Sequence, residues 1–547
     1  MLKLKNVQFC YEVDGVPLSV VTSCSVRTDD AALTVKTDGD RFSASVHADC
    51  EIVIRQLRAV FEYDYHETER IFLNGYQSWT DSFEHSIHDR MRGLNGTPGA
   101  IIRRYSLEQY GDYHFLCYPN ARGMLHGWTY GYLRTGPIYR FFGSLSEDCG
   151  FTILKTDVRR AELIIEKECA GLRMTGDFDG LQLLMTEGSE SSVFDAYFEA
   201  LGITLRPEAK PIFGYTSWYR HYQNISEEIL RRDLEGLLSQ PYKPDVFQLD
   251  DGYQTAIGDW LSIDKTKFPD GLSGITSAIQ ENGILPGIWL APFVCETRSA
   301  IFREHKDWLV YDENGDPVIG GSNWSGFYAL DIYNEDFRAY LREVFRTVTK
   351  EWGFQLLKLD FLYAACIQPR PDKTRGQIMA DGMQLLRELA GDAFILGCGV
   401  PLASAFGRVD YCRIGCDVSL DWNDKLHMRV THRERVSTRN TILDSVFRRQ
   451  LNGRAFLNDP DVFLLRGAQN ALTAEQKTCL AEINALCGSV LFTSDNAADY
   501  NDDQLRVLRR IMRLREEGEI VSAEVSHGLL KIHVNYHGKL IVRIYPL

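Results

Sequence analysis

Carboxylates recur directly after apolar runs in the second half of this chain. Asp250 and Asp251 follow VFQL, and Asp360 follows LLKL, with Lys358 two residues before it. Asp417 closes RIGCD four residues after Arg413, Asp459 and Asp461 flank Pro460 in NDPDV, and Asp495 follows LFTS. A single Asp after a strand is ordinarily the N-cap of the next element. If these runs are neighbouring strands, however, so many carboxylates converge on one cleft and repel one another unless a substrate or cations stand between them. Two chemistries use such a set. A hydrated Mg²⁺ site takes oxygen ligands and a phosphate or acid substrate. Glycoside hydrolysis takes one carboxylate as nucleophile or base and a second as acid. The aromatics beside the same runs, among them Trp218, Trp260, Trp289, Trp324, Tyr363 and Trp422, favour sugar over phosphate. Sugars stack their apolar C–H faces on rings while their hydroxyls bind carboxylates. Any one of these rings taken alone is better explained by packing.

The runs must be strands for this argument to hold. Eight are legible: IFGYTSWY from Ile212, DVFQLDDG from Asp245, GIWLAPF from Gly287, LLKLDFLY from Leu356, FILGCGV from Phe394, DYCRIGCD from Asp410, AFLNDPDV from Ala455 and SVLFTSDN from Ser489. Helix-period segments alternate with them. In NEDFRAYLREVFRTV the apolar Phe337, Leu341, Val344 and Val348 fall on one helix face. Ser226 followed by Glu227 and Glu228 predicts an N-cap with acid at the positive helix end. Eight strand–helix pairs predict an α/β fold, a (β/α)₈ TIM barrel over residues 212–517. The alternative, a doubly wound open sheet, lacks a GxGxxG after its first strand. Upstream, short alternating runs such as FSASVHA, EIVIRQL and GLQLLMT predict a β-sandwich over residues 1–190. Residues 191–211 predict a helical connector and the linker RPEAKP. Residues 518–547 predict a small antiparallel β module turning at His537-Gly538.

Bulk properties narrow the classes. The 547 residues are 44% hydrophobic and 25% charged, which excludes disordered and fibrous chains. Lys+Arg 60 against Asp+Glu 75 gives −15, and an acidic surface argues against nucleic-acid binding. No apolar stretch is long enough to span a membrane, and the N-terminus lacks the apolar core of a signal peptide. The 13 cysteines have no CxxC spacing, and Cys412 and Cys416 have no partners for a zinc site. Free thiols in a reducing cytoplasm are expected. The histidines show no HxH or HExxH spacing, so no metal and no cofactor is expected.

Together and in order, PDVFQLDDGYQ, GILPGIWLAPF, LLKLDFLY and GCGVP…RIGCD resemble the α-galactosidases of glycoside hydrolase family 36, in clan D, across the whole barrel. NGYQSW at Asn74 to Trp79 resembles that family's sandwich loop reaching into the active site. The resemblance implies Asp360 as nucleophile and Asp417 as acid/base. It implies that Asp250 and Asp251 hold sugar hydroxyls, that Trp289, Lys358, Cys398 and Arg413 contact sugar, and that Trp79 stacks on it. It implies a β-supersandwich, a barrel and a C-terminal β module. Some family members have a longer C-terminal region and extra oligomerisation elements; this chain lacks that length, so oligomeric state is not expected to transfer.

Physical roles can be read beside it. Lys358, on the face of Asp360, could hold that carboxylate at low pKa. Arg413, expected to share a strand face with Asp417, could orient sugar or lower the acid's pKa. Asp459 and Asp461 are expected to be structural, and Cys398 on its own reads as core. NGYQSW is expected to be an exposed loop, its Trp79 either walling the sugar site or packing between sandwich and barrel. The expected function is a retaining exo-α-galactosidase acting on small α-galactosides of the melibiose and raffinose kind. The alternatives are an α-N-acetylgalactosaminidase, a transglycosidase, a Mg²⁺-dependent barrel enzyme, and a sugar-binding protein on an inactive barrel.

Overall fold

The structure, a computed structural model, describes residues 2–91, 93–94, 99–425 and 436–547. Between Lys3 and Gly188, twelve strands form one antiparallel hydrogen-bonded network. Its backbone is the 22-residue strand Arg41–Glu62. The first part of this strand pairs with Ala31–Asp38 and Arg173–Gly188, and the second with Lys3–Val13 and Glu162–Lys167. Its inward residues follow a period of two, Phe42, Ala44, Val46, Ala48 and then Ile52, Ile54. The step from Ile54 to Leu57 is three residues, because the register slips there against Cys10 and Tyr11. That bulge returns the apolar side to the core.

Residues Ile212 to Thr493 supply eight parallel strands: Ile212–Thr216, Val246–Leu249, Leu285–Leu290, Leu356–Leu359, Phe394–Gly397, Tyr411–Arg413, a divided seventh, and Val490–Thr493. The seventh is Leu457–Asp459 and Val462–Phe463, broken at Pro460, which has no N–H to give, and at Asp461, which has φ +74°. Its first half pairs with strand six and its second with strand eight, so the break is what closes the ring. The strands are buried on both faces, as helices outside and packed side chains inside require. They are shorter than the apolar runs suggest. Strand six ends at Arg413, so Asp417 lies in the loop beyond it and not on a shared strand face.

The helical expectations take definite form. Ser226 caps Glu227–Leu238 by accepting the N–H of Ile229. Glu335–Arg346 buries Phe337, Leu341 and Val344, and Val348 continues that face on the following π turn. Glu190–Leu201 is a helix, and Ile203 to Pro211 has no regular structure. Gly518–Ser526, Leu529–Tyr536 and Lys539–Pro546 form a three-stranded sheet. His537 and Gly538 both have positive φ, as a two-residue hairpin turn demands. Among the described residues no helix is long and apolar enough to cross a membrane.

Two buried arginines of the barrel region grip the N-terminal region. Arg448, after the helix Thr438–Phe447, donates to Asn74 Oδ1 at 3.0 Å and to the carbonyls of Ser78 and Gln77 at 2.7 and 3.0 Å. Arg375, opening the helix Arg375–Ala390, pairs with Glu168 at 2.6 Å and donates to the Tyr76 hydroxyl and the Cys366 carbonyl. Removing one member of a buried ion pair strands the other. Arg375→Met is therefore expected to destabilise the protein by about 3–5 kcal/mol, and Arg375→Met/Glu168→Gln by clearly less, as measured by urea unfolding.

Candidate active site

The C-terminal ends of strands two to seven bring the carboxylates into one buried cluster. Asp250 and Asp251 stand one and two residues past strand two. Asp250 Oδ2 accepts from Lys358 Nζ at 2.9 Å, Gln248 Nε2 at 2.9 Å and Thr216 Oγ1 at 3.3 Å, so side chains of strands one, two and four meet on one oxygen. Burial works against the Lys358 ammonium, yet Asp250 carries its pKa above the ordinary lysine value. Asp251 accepts from Gln223 at 2.8 Å, Gln254 at 2.5 Å and the indole of Trp324 at 3.0 Å. Burial raises its pKa, and these three bonds oppose the rise.

Asp360 stands one residue past strand four. The N–H of Phe361 holds Oδ1 at 2.9 Å and the Trp289 indole holds Oδ2 at 3.0 Å, which locks the carboxyl in one orientation. Phe361 has φ +54°, the turn that bends the chain back over this group. Lys358 is on strand four as expected, but its ion pair is with Asp250. The Asp360 pKa lies above the ordinary carboxylate value, not below it. Burial raises it, the Lys358 charge and the Trp289 bond lower it, and the nearby Asp417 charge adds to the rise. Cys398 is buried, its thiol pushed well up by burial and by Asp360. Its Sγ accepts from the Trp79 indole at 3.3 Å.

Trp79 reaches this point from the N-terminal region. The strand Arg70–Leu73 runs straight into NGYQSW, and Asn74, Gly75, Tyr76, Gln77 and Ser78 are all buried, so the loop is not exposed. Arg448 and the pairing of Gln77 with Pro401 fix it against the barrel. The Trp79 ring meets Phe361 edge-on at 5.1 Å and Tyr363 at 6.0 Å. Gly399 lies beneath it, where a Cβ would come within 2.9 Å of the ring. Trp79 thus packs between the two regions and stands beside the Asp360 turn at once.

Asp417 is the accessible member of the cluster, its side chain 42% exposed. Arg413 donates to it at 2.7 Å, to Asp461 at 2.8 Å and to Asp459 at 3.3 Å, so one buried guanidinium ties three carboxylates. Asp461 also accepts the N–H of Val418 at 2.7 Å and the Tyr219 hydroxyl. Burial pushes Asp461 up to about 7, against the Arg413 charge. Asp495 turns away. It takes the N–H groups of Leu465 and Arg466 and the Arg466 guanidinium, and it belongs to loop support. Gln223 and Arg448 were not marked by sequence, and Trp324 and Tyr219 were read there only as aromatics beside the strand ends, with no role of their own. Among the described residues no cluster of His, Cys, Asp and Glu has metal-holding geometry.

Comparison with known proteins follows the same residues. The family model Melibiase matches residues 222–376, which include Asp250, Asp251, Trp289, Lys358 and Asp360 but not Trp79, Cys398, Arg413 or Asp417. The A type blood α-D-galactosamine galactosaminidase of Flavonifractor plautii is 31% identical over 131 residues, 22% of this chain and 12% of that protein. The α-galactosidase AgaA of Geobacillus stearothermophilus is 29% identical over 119 residues, 20% of this chain and 16% of that protein. The matches thus span 12% and 16% of those relatives' length. The solved α-galactosidase TtGalA of Thermus thermophilus is similar over far more. Its complex with stachyose has a TM-score of 0.72 at 26% identity, covering 90% of this chain and 99% of that one. Its complex with p-nitrophenyl α-D-galactopyranoside has a TM-score of 0.74 at 24% identity, covering 95% and 99%. Residues 222–376 thus match the Melibiase domain, and in fold and in its barrel of converging carboxylates the chain is similar to α-galactosidases.

Proposed function

We propose that the protein is a retaining exo-α-galactosidase, removing terminal α-D-galactosyl residues from small oligosaccharides by double displacement. Asp360 is the nucleophile and Asp417 the acid/base. The observation that carries the reading is the contrast between these two carboxyl groups. Asp360 is buried and immobilised by two donors, which suits a group that must meet one carbon atom along one line. Asp417 is half exposed and held from one side by Arg413, which suits a group that serves a departing oxygen and then a water. Two carboxyls in unlike surroundings are what acid and nucleophile require. In this reading Asp250 and Asp251 bind sugar hydroxyls, and Lys358, Arg413, Trp289, Cys398 and Trp79 complete the walls. Galactose as the sugar is supported by TtGalA, whose complexes hold stachyose and a nitrophenyl α-galactoside. A cytoplasmic setting is supported by the cysteines, all 13 of which are free thiols.

Purified protein is expected to hydrolyse p-nitrophenyl α-D-galactopyranoside in preference to the β-anomer and to the α-galactosaminide, and to release the α-anomer of galactose first, as followed by NMR. An inverted first product would contradict the double displacement. Asp360→Asn is expected to lower kcat roughly a thousandfold or more with the fold intact, since the amide cannot form the glycosyl ester. Asp417→Asn is expected to slow melibiose far more than an activated aryl galactoside, whose leaving group departs with little protonation.

The pH dependence follows from Asp360. A nucleophile works ionised, and burial sets its folded pKa above the ordinary carboxylate value. Activity is therefore expected to fall, as pH is lowered, at a higher pH than a free carboxylate would give. Lys358 is one of the causes holding that value down, so Lys358→Met is expected to move the acid limb of kcat/KM to still higher pH. A pH profile on the aryl substrate checks both.

A further inference from the structure

We propose that Tyr110, from the N-terminal region, is a positioning residue for the sugar site: it holds the barrel hairpin Ile319–Ala329 so that Trp324 is aimed at Asp251. The site it serves is the one proposed above.

Trp324 sits at the tip between the short antiparallel strands Ile319–Gly321 and Phe327–Ala329. Trp324 and Ser325 both have left-handed backbones, φ +52° and +66°. A bulky residue keeps such a conformation only where its surroundings over-determine it. On the inner side, the indole donates to Asp251 Oδ2 at 3.0 Å, and the ring packs on Phe361 at 5.0 Å and on Trp289 at 6.1 Å. Trp289 in turn holds Asp360, so Trp324 joins the Asp251 and Asp360 halves of the cluster. Its indole N–H goes to Asp251, and it reaches Asp360 through Trp289 and Phe361.

On the outer side, the hairpin is held by one hydroxyl. Tyr110 Oη accepts the N–H of Ser322 at 2.6 Å and of Asn323 at 3.2 Å, and donates to Asn323 Oδ1 at 2.5 Å. Gly321 makes room for it, since a Cβ there would lie 2.8 Å from the hydroxyl. Tyr110 closes the turn Leu107–Tyr110, and its carbonyl is held by the side-chain amide of Gln77, within NGYQSW. The Tyr363 hydroxyl, bonded to the Gly320 carbonyl at 2.8 Å, anchors the other side of the hairpin. A continuous chain of contacts therefore runs from Gln77 through Tyr110, Ser322 and Asn323 to Trp324 and Asp251. The loop that delivers Trp79 directly also sets Trp324 at one remove.

Tyr110→Phe removes the hydroxyl and keeps the ring. Because Trp324 acts on Asp251 and not on the reacting pair, the Kd for D-galactose and the KM for p-nitrophenyl α-D-galactopyranoside are expected to rise about tenfold, while kcat stays within about twofold. The thermal midpoint should fall by no more than about a few degrees, with the protein folded at the assay temperature. Trp324→Phe should raise both constants in the same way, and Tyr110→Phe added to Trp324→Phe should change them by less than about twofold, because the two act on one route. Unchanged Kd and KM in Tyr110→Phe, or full additivity in the double variant, would overturn the proposal. Hydrogen exchange of the Ser322 and Asn323 amides tests it without substrate: faster exchange in Tyr110→Phe supports the positioning, and unchanged exchange overturns it even in an inactive protein. A parent chain that neither binds galactose nor cleaves the aryl substrate overturns the proposed function instead.

Discussion

Among the described residues, six carboxylates stand together in a barrel mouth with two cationic side chains paired to them, and the rest of the site answers that imbalance. Like charges in a low-dielectric setting are costly unless each is bonded or neutralised. Lys358 is committed to Asp250, and Arg413 is divided among Asp417, Asp459 and Asp461. Asp251 and Asp360 have no direct ion pair among the described residues and rely on neutral donors: Gln223, Gln254 and Trp324 for one, Trp289 and a backbone N–H for the other. The two groups left to amides and indoles are both shifted up by burial. On the proposed function, this places electrostatic tension where sugar hydroxyls and an anomeric carbon would be received. A functional site is expected to carry such tension, and a purely structural cluster is expected to remove it.

The N-terminal region packs against the rings that supply and flank these neutral donors. An indole N–H must be held at one angle to serve a carboxylate, and short loops at a barrel mouth do not hold large rings unaided. NGYQSW, clamped by Arg448, brings Trp79 over Gly399 and against the Asp360 turn. Trp79, Phe361, Trp324 and Trp289 then form a continuous aromatic wall, each ring within about 6 Å of the next. The sandwich is therefore structural support for the site as well as a neighbour of it. The two buried arginines at the junction, Arg375 and Arg448, tie that support to barrel elements far away in sequence.

Apolar periodicity and strand-end carboxylates made the barrel, its order of strands and most of the cluster legible in the sequence. A period of two or 3.6 is a local property, and a residue just past a parallel strand has one destination, the mouth of the barrel. Asp250, Asp251, Asp360, Asp417 and Trp289 were found on that ground. What local pattern does not contain is pairing. Lys358 lies two residues from Asp360, yet its partner is Asp250, 108 residues away, because inward side chains of strands two and four, which flank strand three, meet at the mouth of the barrel. The direction of the Asp360 shift was missed because its largest cause is burial, which the fold decides, and this outweighs the lowering by Lys358. NGYQSW looked exposed because it is polar and rich in turn residues. It is buried because Arg448, 374 residues from Asn74, satisfies its carbonyls. Trp324 and Tyr110 carry no motif, and their meeting depends on two regions docking. The sequence by itself determined which residues would sit at the ends of the strands. The tertiary structure alone decided which charges neutralise one another and which rings they face, because those energies depend on distance through space and not on separation along the chain.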